Sequence, residues 1–105
     1  MTTTALVVFE TKDGASTDFE TAIKALLAST SGDPGFVSCT QYQDLNEPNV
    51  YVFHELWQSQ SALNEHLSTA HVARFLCAIE PLLERKKVRL LQHLDASPPD
   101  RCCQA

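Results

Sequence analysis

At 105 residues the chain has room for one domain, and its 44% hydrophobic and 20% charged residues suit an ordinary globular protein. A net charge of −5 favours solubility and argues against a general affinity for nucleic acid or acidic membranes. A domain of this size buries only about two-thirds of its unfolded surface, so enclosing a large cavity calls for a partner subunit.

Ala5 to Glu10 is β-rich and ends ahead of the Asp13-Gly14 turn signal, which predicts a first strand. Thr17, followed three residues later by Glu20, has the pattern of a capping box. Phe19, Ala22, Ile23, Leu26 and Leu27 then recur at helical spacing. That helix is expected to stop near Ser31-Gly32, with Pro34 beyond it as a breaker. A second strand is predicted from Phe36 to Gln43, a turn from Asp44 to Asn49, and a third strand from Val50 to Gln58. In the third strand Tyr51, Phe53, Glu55 and Trp57 share one face, and Val50, Val52, His54 and Leu56 share the other.

Ser59 can cap a short helix from Gln60 to Leu67, and Thr69 can cap the next after a break at Ser68-Thr69. Val72, Phe75, Leu76, Ile79, Leu82 and Leu83 form the apolar stripe of that second piece, and Pro81 should kink or restart it. Arg85, Lys86, Lys87 and Arg89 read as a solvated helix end, where cations suit the carboxyl-terminal dipole; an anionic ligand is the alternative. A last strand is predicted from Val88 to Leu94, and 95–105 reads as a loose tail after a domain spanning 1–94.

The order β-α-β-β-α-β predicts an α+β, ferredoxin-like antiparallel sheet with its helices on one face. The opposite face, with Val50, Val52 and Leu56, would be left wet, and pairing of two copies into a homodimer is the natural remedy. Met1-Thr2-Thr3-Thr4 has no basic n-region and no apolar run is long enough to span a bilayer, so the cytoplasm is the default location. Cys39, Cys77, Cys102 and Cys103 follow no metal-finger spacing. Cys39 and Cys77 are expected to be small buried hydrophobes, and the Cys102-Cys103 pair an incidental feature of the tail.

Four side chains could carry chemistry. Trp57 offers a flat apolar wall with one hydrogen-bond donor, or simply a core ring. Glu55 faces the same largely apolar layer and needs a partner, for which Arg74 is a candidate. His66 and His71 are five residues apart, where a paired metal site on a continuous helix wants four, so no metal is assigned. His71 falls just after a predicted N-cap, where the positive helix end disfavours imidazolium and a neutral, proton-accepting ring is expected. His54 is expected on the dimer side, and His93 in the last strand is uninformative alone. No Gly-rich phosphate loop, nucleophile elbow or dinucleotide fingerprint occurs, so no nucleotide cofactor is expected.

Pro34-Gly35, Gln43-Asp44, the Glu55-x-Trp57 strand end, Ser59, Ala62-Leu63, His66-Leu67, His71 and Phe75 together resemble the antibiotic biosynthesis monooxygenase family, small dimeric α+β-barrel proteins. The likeness runs from about Ala5 to Leu94. It implies cofactor-independent oxygenation of a quinol, an anthrone or a similar small aromatic, as in some members. On that reading His71 or His66 is the base and Glu55 an orienting partner. Trp57 and Phe75 are walls, and Phe53, Leu63 and Val72 line the same hollow. The chain departs from the family at Thr69-Ala70-His71, where Ser-Pro-His is common, and at Cys39, where a tyrosine is common. The haem-degrading branch is disfavoured, because Ala5 to Glu10 holds no asparagine and Val72 to Leu83 no histidine. Two other readings stay open. One is a base-catalysed isomerase of a small polar metabolite, phosphorylated or not, since another branch of the family with that activity also carries a histidine pair spaced like His66 and His71, and the basic residues Arg85 to Arg89 could suit a phosphate. The other is a dimeric ligand-binding or stress-related protein without catalysis.

Overall fold

The computed structural model describes residues 2–94, so the expectations for 95–105, Cys102 and Cys103 among them, lie outside the described residues. In β1 (Thr3–Thr11) Ala5, Val7, Phe9 and Thr11 turn inward and their neighbours turn out, the period of two that a one-sided sheet requires. β1 lies between β3 (Val50–Trp57) and β4 (Leu83–Gln92), and β2 (Phe36–Gln43) flanks β3. All three pairings are antiparallel, giving the order β2-β3-β1-β4. Three helices complete the chain: α1 (Ser16–Thr30), α2 (Gln60–Leu67) and α3 (Ala70–Ile79). This is the expected α+β, ferredoxin-like arrangement. No helix among the described residues is long and apolar enough to cross a membrane.

The core sits between the inner sheet face and the stripes of α1 and α3. Phe9 is its hub, with its ring centroid 4.9 Å from Phe53, 5.3 Å from Phe19 and 6.0 Å from Phe75, each edge to face. This geometry sets the positive edge of one ring against the negative face of the next. Ile23, Leu26, Val72 and Ile79 close the cluster. A second, smaller cluster of Ala5, Trp57 and Leu63 lies at the other end of the sheet, with Phe36 and Ala62 against it.

Four local expectations are corrected. The Thr17–Glu20 capping box does not form: α1 begins at Ser16, its N-cap Ala15 has no side-chain cap, and the Glu20 carboxylate instead accepts a hydrogen bond from Tyr51 Oη at 2.8 Å. β4 starts at Leu83 rather than Val88 and ends at Gln92, so Leu82 and Leu83 leave the helical stripe and His93 falls beyond the strand. Pro81 ends the helix in a single 3-10 turn (Glu80–Leu82), and pairing with β1 captures the chain at once, with the Lys12 amide donating to Leu82 O at 2.8 Å. Arg85, Lys86, Lys87 and Arg89 therefore lie on a strand and not at a helix end; Arg85 is paired with Glu10 of β1 at 2.8 Å. Cys77 lies on the exposed side of α3 rather than in the core, and Cys39 is half-buried.

The outer sheet face carries Val50, Val52 and Leu56, all half-buried, and the exposed His54, as alternation predicts. The helix layer also stops short of β4. Val88 and Leu90 pair with Val7 and Ala5 and so share their inward face, yet they remain 50% and 48% exposed.

Candidate active site

Two hydrogen-bonded turns fix the site before any side chain is placed. After α1 the Asp33 amide donates to Thr30 O at 2.9 Å, and Phe36 N donates back to Asp33 O at 3.1 Å. Gly35 follows with φ +81°, a left-handed conformation in which a side chain is strained, and its carbonyl accepts from Gln58 N at 2.8 Å. A Cβ on Gly35 would overlap the Cβ of Ala62, so α2 packs directly onto bare backbone. The second turn lies between α2 and α3. Ser59 Oγ caps α2 by accepting from Ala62 N, and Thr69 Oγ1 caps α3 by accepting from Val72 N. The same Thr69 hydroxyl donates to His66 O at 2.7 Å, which ties the end of α2 to the start of α3.

These turns bring three distant side chains onto one oxygen. Asp33 Oδ2 lies 2.7 Å from His66 Nδ1 and 2.8 Å from His71 Nε2. Burial alone would raise the Asp33 carboxyl, but hydrogen bonds from His66 and His71 and electrostatic attraction to both rings outweigh it, and the group is held below the ordinary carboxylate range. An ionised carboxylate only accepts, so each ring presents an N–H to Asp33. In a neutral ring the lone pair then lies on the far nitrogen, Nε2 of His66 and Nδ1 of His71.

His66 is 4% exposed, a buried ring. It stacks on Trp57 with centroids 4.5 Å apart and planes tilted by 35°. Trp57 is wholly buried, and its Nε1–H donates to Glu55 Oε1 at 3.1 Å. Trp57 is thus the partner Glu55 needed, in place of Arg74. The sequence-expected residues Glu55, Trp57, His66 and His71 form one continuous chain of contacts, with Asp33 as the link that sequence reasoning missed. Its local signal, Asp33-Pro34-Gly35, reads only as a turn.

The other expected residues divide differently. Phe53, Val72 and Phe75 belong to the larger core, and Leu63 lies beside Trp57 in the smaller one. A cleft of about 380 Å³ opens between α1 and α3, lined by Leu26, Ser29, His71, Arg74 and Phe75 together with alanines of both helices. His71 and Phe75 reach this cleft; Trp57, Phe53, Leu63 and Val72 do not line it. Cys39 pairs across the strands with Glu55, and its thiol is pushed up to about 11, by burial first and by the Glu55 charge as well. The carboxylate oxygen and the two ring nitrogens of Asp33, His66 and His71 lie within 4.8 Å of one another, a set with metal-ligand chemistry.

The family model for antibiotic biosynthesis monooxygenase matches residues 2–76. Among solved structures, SnoaB, a cofactor-independent oxygenase from Streptomyces nogalater, superimposes with a TM-score of 0.82 at 22% identity, over 93% of this chain and 98% of its own. PA3566 from Pseudomonas aeruginosa does so with a TM-score of 0.81 at 26% identity, over 90% and 95%. The uncharacterized protein sll1783 from Synechocystis sp. is 27% identical over 59 residues, which is 56% of this chain and 40% of that protein. The match therefore spans less than half the length of that relative.

Proposed function

This chain belongs to the antibiotic biosynthesis monooxygenase family, and from that premise we propose that it oxygenates a small, electron-rich aromatic of the quinol or anthrone class without a cofactor. The observation that carries this reading is the single Asp33 oxygen shared by His66 and His71. It fixes both rings and turns a lone pair of each away from the carboxylate. His71, which lines the α1–α3 cleft, is the base that removes the substrate proton. The resulting anion passes an electron to dioxygen, and the two radicals combine. For an anthrone, the methylene becomes a carbonyl; one oxygen atom enters the product and the other leaves as water, so the substrate supplies all four electrons.

Phe75 and the alanines of the cleft hold the ring and keep water away, which orients the reacting carbon. Trp57 acts through His66, by stacking, and Glu55 acts through Trp57, by accepting its N–H. Both are positioning residues. Phe53, Leu63 and Val72 support the walls from the core. The homodimer belongs to the same reading, supported by the half-exposed Val88 and Leu90 and the apolar outer face, as does a cytoplasmic setting. The isomerase alternative rests on the same two histidines, with the basic residues Arg85 to Arg89 as a phosphate partner, and of these Arg85 is engaged by Glu10.

Isotope labelling tests the reading. Incubation with a quinol and anthrone panel under labelled dioxygen should place one labelled atom in the product, and no product should form anaerobically. Anaerobic turnover of any substrate, or an unlabelled product, would point to base catalysis without oxygen instead.

A further inference from the structure

We propose that Asp33, His66 and His71 also form a binding site for one first-row divalent transition-metal ion, such as zinc or iron(II). Two imidazole nitrogens and one carboxylate oxygen are a donor set such ions favour, with the remaining positions left to water. Here the three come from the turn after α1, from α2 and from α3, and their ligand atoms lie within 4.8 Å of one another. With two neutral rings the set carries one negative charge, which complements a dication.

The geometry is close to a binding arrangement but closed up on hydrogen bonds. Bonds of about 2.0–2.2 Å to a central ion set neighbouring ligand atoms roughly 3.0–3.5 Å apart. The present separations are 2.7 and 2.8 Å, so the Asp33 oxygen must draw back from each ring by about half an ångström on ion entry. His66 is held by its stack on Trp57, whereas His71 is partly exposed at the mouth of the α1–α3 cleft and is the ligand with room to move.

Ion binding and base catalysis exclude one another. A neutral imidazole has one lone pair. Facing Asp33 across a hydrogen bond, the nitrogen carries hydrogen and the far nitrogen carries the lone pair. Facing an ion, the hydrogen moves to the far nitrogen, and no lone pair is left for substrate. A bound ion therefore silences the base. This consequence rests on the oxygenase reading; the binding itself does not, and it is measured without substrate.

The test is titration of chelator-stripped full-length protein with cobalt(II), followed by visible absorption, and with zinc by calorimetry. One ion per chain is expected. Affinity should fall at least about tenfold in Asp33→Asn and in His71→Ala, and stay unchanged in His54→Ala and in Cys102→Ser/Cys103→Ser. Circular dichroism establishes that each variant is folded, and Asp33→Asn, nearly isosteric, guards against a folding artefact in His71→Ala. Absence of saturable one-to-one binding overturns the proposal. So does binding that survives both site variants, or that follows the cysteines and shows a thiolate-to-cobalt charge-transfer band.

Discussion

Asp33 and His71 stand 38 residues apart in sequence, and the carboxylate oxygen of one lies 2.8 Å from the ring nitrogen of the other. The same oxygen takes His66, so one turn residue joins α2, α3 and the chain leaving α1. The strength of this junction follows from its burial. A charged acceptor that serves two N–H groups at once is costly to remove, because both donors lose their partner.

Asp33→Ala should therefore destabilise the fold by about 1–3 kcal/mol, since the buried His66 N–H is left unsatisfied. Asp33→Asn, which retains an acceptor oxygen, should cost less. Urea denaturation, comparing midpoints at constant slope, checks both the size and the order.

The acid limb of stability should also change. The Asp33 carboxyl is held below its ordinary range in the folded protein, so its ionised form contributes stability above the unfolded value of about 3.9 and loses it as pH falls through the folded value. The melting-temperature gap between wild type and Asp33→Asn should be larger at neutral pH than in strong acid. A gap that stays constant on acidification contradicts this.

Two glycines separate strain from collision. Gly14 and Gly35 have φ of +80° and +81°, but a Cβ at Gly14 meets open space whereas one at Gly35 meets Ala62. Gly14→Ala should cost the conformational penalty alone, about 1–2 kcal/mol. Gly35→Ala should cost about 3 kcal/mol or more, because α2 must shift. It should also weaken the Asp33–His66 contact, read as a changed His66 ring shift in NMR.

Cys39 should be a slow nucleophile. With its thiol at about 11, its alkylation by iodoacetamide, followed site by site by mass spectrometry, should rise with a midpoint near that pH. The exposed Cys77 should be modified well ahead of it at pH 8. Equal rates at the two sites would contradict the burial described for Cys39.

Much of this architecture was legible in the chain because it is local. The bounds of β2 follow from the turn signals on either side of it and the two faces of β3 from alternation, and Ser59 and Thr69 cap α2 and α3 as their positions imply. Where sequence reading failed, a distant partner decided the outcome. The Glu20 carboxylate was drawn to Tyr51, 31 residues away, instead of to its own helix start. Leu82 and Leu83 continue a helical pattern, yet pairing with β1 takes the chain into β4 at Leu83. Of the site, the Trp57–His66–His71 grouping was foreseeable from a strand end followed by a broken helix. Asp33 was not, because nothing near it in sequence reports partners 33 and 38 residues away.

Oxygen uptake by metal-stripped protein tests the central reading most directly. With an anthrone or quinol in excess chelator, and the spontaneous rate subtracted, wild type should consume oxygen, while His71→Ala should fall by about 100-fold or more and Asp33→Asn should lose kcat with little change in KM. Uptake no faster than the spontaneous rate across the panel, or uptake equal in wild type and His71→Ala, would contradict an imidazole base held by Asp33.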